Sequence, residues 1–125
     1  MYKYYNANPF GRRVNDCTIR AISLATNESW DKTYKELSNA ARKIGVMPDN
    51  TKYIDTYLER NFEKVYICEY GCEFTVGDFA ALRQSGTYLI TMNGHITCCI
   101  DGCIYDTFDP SDRIVWGIYK VRGRI

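Results

Sequence analysis

Two dipeptides, Asn93-Gly94 and Asp101-Gly102, constrain the fold of this chain more than any other feature. They separate three runs of residues that favour strands: TYLITM, HITCCI and CIYDTF. Asn-Gly and Asp-Gly favour the tight two-residue turns of β-hairpins, because these turns require positive φ angles. The pattern therefore predicts a three-stranded antiparallel meander over residues 87–108, with a fourth strand over 114–121.

The first half of the chain has apolar side chains at the spacing typical of helices. Helices are predicted over about 17–25, from Ser29 to a stop at Gly45, and over 51–61. The middle helix has one apolar stripe, made of Trp30, Tyr34, Leu37, Ala41 and Ile44. Helices followed by an antiparallel sheet predict an α+β domain.

The segment between the two halves carries weaker signals. Residues 65–68 favour a strand, and Thr75 and Asp78 have the spacing of a capping box that opens a short helix to about Gln84. We find no internal repeat, low-complexity segment or linker in the sequence. With a length of 125 residues, this predicts a single domain over residues 1–125.

The overall composition narrows the class of protein. The net charge is +1, which favours neither nucleic acid nor an anionic membrane as a partner. No apolar run approaches the ~20 residues of a membrane span, and the N-terminal residues do not resemble a signal peptide. We therefore expect a cytoplasmic protein whose six cysteines are reduced thiols, with no cofactor.

Cys17 is the first candidate for a functional residue. It directly follows Asn15 and Asp16, two good N-cap residues, and so falls in the first turn of the predicted helix. Unpaired N–H groups and the positive end of the helix dipole favour a thiolate there. A structural cysteine would more usually lie on the apolar face in the middle of a helix. The position suits a nucleophile.

His95, the only histidine of the chain, is the candidate base. If Asp101-Gly102 forms a two-residue turn, Thr97 lies opposite Asp106, and His95 shares the face of Thr97. Asp106 is then one diagonal step from His95, within reach of its ring. This register selects Asp106, rather than Asp109 or Asp112, as the carboxylate that orients the imidazole.

Three stretches resemble the papain-like cysteine peptidases, in particular small bacterial and phage C39-like peptidase domains. NDCTIRAIS looks like the nucleophile at a helix start, GHITCCIDG like the strand with the histidine, and CIYDTFDP like the strand with the acidic residue. The order and spacing match over most of the chain. The resemblance implies a papain-like fold, with N-terminal helices packed on a C-terminal antiparallel sheet. It also implies a peptide or protein substrate, with Cys17 as nucleophile, His95 as general base and acid, and Asp106 as orienting residue.

The chain departs from this family at the oxyanion donor. The family usually has a glutamine a few residues before the nucleophile, whereas this chain has Gly11, Arg12 and Arg13 in that neighbourhood. We expect Asn15 to supply the side-chain donor, with Asn6 as the alternative. A lost oxyanion donor typically costs about a hundredfold or more in rate.

Other functions remain open at this point. Deamidation and acyl transfer use the same three residues as hydrolysis of a peptide or isopeptide bond. A non-catalytic binding module could use the aromatic residues Tyr2, Tyr4, Tyr5 and Phe10 as a partner surface. A structural zinc site is a further alternative, with ligands from the set Cys68, Cys72, His95, Cys98, Cys99 and Cys103. Its spacing is poor because Cys98 and Cys99 must point to opposite faces of a strand, so no metal site is expected.

Overall fold

The computed structural model describes residues 1–65 and 74–122, which form helices and one sheet. The helices are α1 (Cys17–Thr26), α2 (Trp30–Lys43), α3 (Thr51–Asn61) and α4 (Val76–Leu82). The strands are β1 (Tyr2–Tyr4), β2 (Glu63–Val65), β3 (Thr87–Met92), β4 (His95–Ile100), β5 (Cys103–Asp106) and β6 (Gly117–Val121). This arrangement confirms the predicted α+β class.

The six strands form one sheet in the order β1-β5-β4-β3-β6-β2. The predicted antiparallel meander is confirmed as β3-β4-β5, and the predicted fourth strand is β6. The expectation of a purely antiparallel, C-terminal sheet is wrong, because β1 pairs in parallel with β5 and β2 also joins the sheet. Of the predicted strand over 65–68, Val65 ends β2 and the remainder lies outside the described residues.

Local side-chain caps explain where three of the helices begin. The Ser29 side chain accepts a hydrogen bond from the Lys32 N–H at the start of α2. The Asn50 side chain accepts one from the Tyr53 N–H at the start of α3. The predicted capping box of Thr75 and Asp78 opens α4. Asp16 occupies the N-cap position of α1, but its side chain caps nothing. Its carboxylate is held by other partners, described below.

The Asp101-Gly102 turn has the predicted geometry. Both residues have a positive φ, 50° at Asp101 and 78° at Gly102, as a type I′ turn requires. The register places Ile100 opposite Cys103 and Cys98 opposite Tyr105. The two-residue turn therefore sets which residues of β4 and β5 share a face.

Two apolar clusters lie on opposite faces of the sheet. One joins α1, α2 and α3 to Leu89, Ile96 and Cys98, and the other joins α4 to Ile90 and Cys99. The neighbouring residues Cys98 and Cys99 thus point to opposite faces, as strand alternation predicts. The helix that begins with Cys17 consequently packs on the sheet that contains His95. Within the described ranges, no helix is long and apolar enough to cross a bilayer.

We expect Gly102→Ala to destabilise the protein by about 1–2 kcal/mol more than Gly94→Ala. Both glycines have a positive φ, so both substitutions introduce backbone strain. A Cβ at Gly102 would also lie 2.9 Å from Gln84 Oε1 and 3.2 Å from the Ala80 carbonyl oxygen, whereas one at Gly94 meets nothing within 4 Å. Urea unfolding of the two variants measures this difference, and equal losses of stability would contradict it.

Candidate active site

His95 and Asp106 meet across the β4–β5 ladder. His95 Nε2 lies 2.7 Å from Asp106 Oδ2, and the two side chains are only 8% and 2% exposed. A carboxylate only accepts hydrogen bonds, so Nε2 carries the shared proton. The alternatives Asp109 and Asp112 are exposed. The prediction that Asp106 is the partner of His95 is confirmed.

The second oxygen of Asp106 is also hydrogen-bonded. Oδ1 accepts from Arg20 Nη1 at 3.2 Å and from the Thr107 N–H at 2.7 Å. Burial raises the pKa of Asp106, but the hydrogen bond and positive charge of His95, the nearby Thr97 hydroxyl and the Thr107 N–H outweigh it and lower the pKa. Thr97 Oγ1 is itself buried without a hydrogen bond of normal geometry. Asp106 is therefore ionised at neutral pH.

Cys17 stands on the other side of the His95 ring. Its thiol is half-buried in the first turn of α1, and it lines the same cleft as the imidazole, close enough for the two groups to interact electrostatically. Because Nε2 faces Asp106, the ring nitrogen left for Cys17 is Nδ1. Burial raises the pKa of Cys17, but the hydrogen bond and charge of His95, the Ile96 backbone and the charge of Arg20 together lower it.

The pKa of His95 moves in the opposite direction to that of Cys17. Burial lowers the pKa of the imidazole, but hydrogen bonds to Asp106 and Cys17 and their negative charges raise it to about 9. The Phe108 ring packs against the imidazole, with 4.7 Å between the ring centroids. A raised histidine pKa beside a lowered thiol pKa favours a thiolate–imidazolium pair at neutral pH.

Cys17 and His95 line a cleft of about 240 Å³. The remaining residues around this cleft come from α3, from the adjoining ends of β3 and β4, and from the segments just before α1, α3 and β6. They include Asn15, Asp49, Thr51, Ile54, Asp55, Thr91, Met92 and Trp116. The thiol therefore lies on the wall of an open cleft.

The structure distinguishes between the two candidate oxyanion donors. Asn15 is exposed and lines the cleft beside Cys17. Asn6 donates from Nδ2 to the Arg12 carbonyl oxygen and accepts from the Asn8 N–H, which fixes it within the N-terminal loop. Asn15 is therefore the better placed of the two.

Sequence reasoning missed Arg20 and Asp16 as parts of the site. Arg20 donates to both Asp16 and Asp106, and Asp16 was interpreted only as an N-cap. The spacing of four residues between Asp16 and Arg20 on one helix is a signal that could have indicated their pairing. No sequence signal indicated that Arg20 would also reach β5.

The alternative sites can now be compared with the structure. In the part of the chain that the structure describes, no group of three His, Cys, Asp or Glu side chains could hold a metal ion, and no disulfide joins Cys17, Cys98, Cys99 and Cys103 to one another. Cys68 and Cys72 lie outside the described residues.

The N-terminal aromatic residues are partly used within the fold. Tyr2 belongs to β1, and its hydroxyl donates to the Asp106 carbonyl oxygen at 3.0 Å. The Tyr5 N–H donates to the same oxygen at 2.9 Å. Tyr4 and Phe10 are exposed. Two backbone-directed hydrogen bonds thus fix the end of β5 at the residue that orients His95.

Comparison of the chain with models of protein families, with curated proteins and with solved structures finds no match in any of the three.

Proposed function

We propose that this chain is a cysteine peptidase that cleaves a peptide or isopeptide bond through Cys17, His95 and Asp106. The observation that carries the proposal is the meeting of three side chains: Asp106 is hydrogen-bonded to the His95 ring, and the Cys17 thiol lines the same cleft as that ring and interacts with it electrostatically. Nucleophile, base and orienting carboxylate in this geometry are the parts of a thiol acyl-transfer site. The position of Cys17 at a helix start within an open cleft adds to the support.

The proposed reaction has two stages. The Cys17 thiolate attacks the substrate carbonyl carbon, the C–N bond breaks, and the His95 imidazolium gives its Nδ1 proton to the leaving amine. This stage leaves a thioester between Cys17 and the acyl part of the substrate. Water then attacks the thioester while His95 accepts its proton, and the acid and the free thiolate are released. Asp106 stays ionised and holds the ring in the orientation that points Nδ1 at Cys17.

The tetrahedral intermediates require donors for their oxyanion. We propose the backbone N–H of Cys17 and the Asn15 side chain for this role. Cys17 begins α1, where N–H groups lack helical partners, and Asn15 lines the cleft two residues before it. Asn15→Ala is then expected to lower the cleavage rate about a hundredfold while thiol alkylation stays at the wild-type rate. Parallel measurement of cleavage and alkylation checks this. Equal losses in both would contradict an oxyanion role.

A papain-like fold is part of the proposal. It is supported by the order of the elements, with the nucleophile at the start of α1 and the base and carboxylate on the later neighbouring strands β4 and β5. It is also supported by the packing of α1 on the sheet and by the contact of the His95 ring with the Asp106 carboxylate across the β4–β5 ladder.

The first test is selective alkylation of the thiols at pH 7. A substoichiometric amount of iodoacetamide followed by peptide mapping should modify Cys17 at least tenfold faster than any other cysteine. Cys98 and Cys99 are fully buried, and burial raises the pKa of Cys99 to about 11. Half-buried Cys103 is the matched control for exposure. A non-catalytic binding module predicts no preference for Cys17.

The second test identifies the reaction. A degenerate peptide library is incubated with the protein and with Cys17→Ala, and the products are analysed by mass spectrometry. Hydrolysis gives new N- and C-termini only with the wild-type chain. Conversion of glutamine to glutamate without cleavage would contradict the proposed peptidase and assign deamidation.

A further inference from the structure

Arg20 binds two buried carboxylates at once. Its Nε donates to Asp16 Oδ1 at 2.8 Å, and its Nη1 donates to Asp106 Oδ1 at 3.2 Å. The arginine side chain is 12% exposed, and the two carboxylates are 5% and 2% exposed. Buried charges are stable only when paired, so this contact is a fixed part of the fold rather than a surface ion pair.

The Asp16 end of this bridge is anchored independently. Asp16 Oδ2 accepts from Trp30 Nε1 at 2.9 Å and from Asn8 Nδ2 at 3.4 Å. These partners belong to α2 and to the loop before α1, so the Asp16 carboxylate has little freedom to move. Arg20 therefore holds Asp106 from a rigid support.

Arg20 also lies close to the nucleophile. It follows Cys17 by three residues on α1, which places both side chains on the same part of the helix surface. The helix that carries the thiol is consequently tied by Arg20 to the strand that carries the orienting carboxylate. His95 is hydrogen-bonded to the carboxylate through Nε2 and lines the same cleft as the thiol.

We propose that Arg20 is a positioning residue of the site, which holds the Asp106 carboxylate in place from the helix that carries Cys17. This inference rests on the proposed function, since it assigns Arg20 a role in orienting the base of that reaction. The planar guanidinium suits the role because its separate N–H groups reach two carboxylates in fixed directions, which a lysine ammonium does not reproduce.

The positive charge of Arg20 also favours the ionised forms of Asp106 and Cys17. Several charged and titratable groups face Arg20 and Asp106. They are Asp16 and Cys17 from the α1 side, His95 from β4, Tyr2 from β1, Tyr5 from the loop after β1 and Tyr105 from β5. The guanidinium is the permanent positive charge among them. Without it, the ionised forms of Asp106 and Cys17 both become less favourable, and the thiolate–imidazolium pair forms only at higher pH.

The test is the pH profile of Cys17 alkylation by iodoacetamide in the wild-type chain, Arg20→Met, Arg20→Lys and the control Arg12→Met. Arg12 is exposed, so its replacement removes the same charge without removing a contact of the site. The acid limb is the part of the profile in which the alkylation rate rises with pH as Cys17 loses its proton. We expect Arg20→Met to move this limb to higher pH by about one unit, which lowers the alkylation rate about tenfold at a pH below its midpoint. In Arg20→Lys the acid limb should move by no more than half as much, because the positive charge is kept. Arg12→Met should have the wild-type profile.

A second variant covers the case in which Arg20→Met fails to fold because two carboxylates stay buried without a partner. Asp16→Asn combined with Arg20→Met removes one of these charges and keeps an acceptor for Trp30. The acid limb should again move to higher pH, by less than in Arg20→Met because the negative charge of Asp16 is lost as well. An unchanged acid limb in a folded variant overturns the role of Arg20, and so does an equal movement in Arg12→Met. Absence of selective Cys17 alkylation in the wild-type chain instead overturns the proposed function, and the role of Arg20 with it.

Discussion

Cys17→Ala should abolish substrate cleavage, with a loss on the order of 10⁴-fold or more, and leave the fold almost unchanged. In the proposed reaction the Cys17 sulfur forms the thioester, and no neighbouring group of the described residues can replace it. The side chain is only half-buried in the first turn of α1, so its truncation removes little packing. Cleavage assays and thermal unfolding followed by circular dichroism measure the two effects separately.

Cys103→Ala is the matched control for this experiment. Cys103 is also half-buried and also has a free thiol, but it lies at the start of β5 and lines no part of the cleft. We expect Cys103→Ala to keep wild-type cleavage with a similarly small change in melting temperature. Unfolding of Cys17→Ala, or cleavage by it at a rate near that of the wild type, would contradict the assignment of Cys17 as nucleophile.

The titration of His95 should show a midpoint near pH 9, well above the usual 6.5 of histidine. Since the chain has one histidine, a single set of imidazole resonances in an NMR titration reports this pKa directly. Both Asp106 and Cys17 raise the value, so Asp106→Asn and Cys17→Ala should each lower the midpoint. A midpoint that does not respond to Cys17→Ala would mean that the ring and the thiol do not interact.

The same pKa determines how stability depends on pH. The folded state holds the His95 proton more tightly than the unfolded state, so this contribution to the free energy of unfolding is complete below about pH 6.5. It is lost as the pH rises through about 9. Cleavage requires the imidazolium together with the thiolate, so its rate should also fall above pH 9 and, on the acid side, as Cys17 becomes protonated. In Asp106→Asn the basic limb should move to lower pH.

The sequence was sufficient to place the base and its carboxylate, because one short-range signal decides their register. Asp101-Gly102 has few conformations available that also connect two strands, and the type I′ turn leads to a single pairing of β4 with β5. Strand alternation then places His95 and Asp106 on one face. The bounds of α3 were equally predictable because Asn50 caps the helix through a local hydrogen bond.

Long-range contacts were not predictable from the sequence. Aspartate favours the N-cap position because its side chain can bind nearby backbone N–H groups. In the fold, the Asp16 carboxylate is bound by Arg20 and Trp30 instead. Strand β1 has only three residues and no apolar alternation, and it is stable because β5 offers a free edge to it. Apart from the i,i+4 spacing of Asp16 and Arg20, these contacts leave no pattern within a short window of sequence.

The pairing of β1 with β5 has a consequence for the order of events in folding. The Tyr2 hydroxyl and the Asp106 carbonyl oxygen that it binds belong to residues 104 positions apart, and contacts of such long sequence separation close late because of their entropic cost. The backbone at Asp106 thus gains this hydrogen bond only when the N-terminal strand β1 has docked on β5. The heightened reactivity of Cys17 should therefore be absent from partly folded intermediates. A pulse of alkylating reagent during refolding would therefore measure the fraction of native molecules. Circular dichroism, which detects secondary structure, would report a larger folded fraction at the same time.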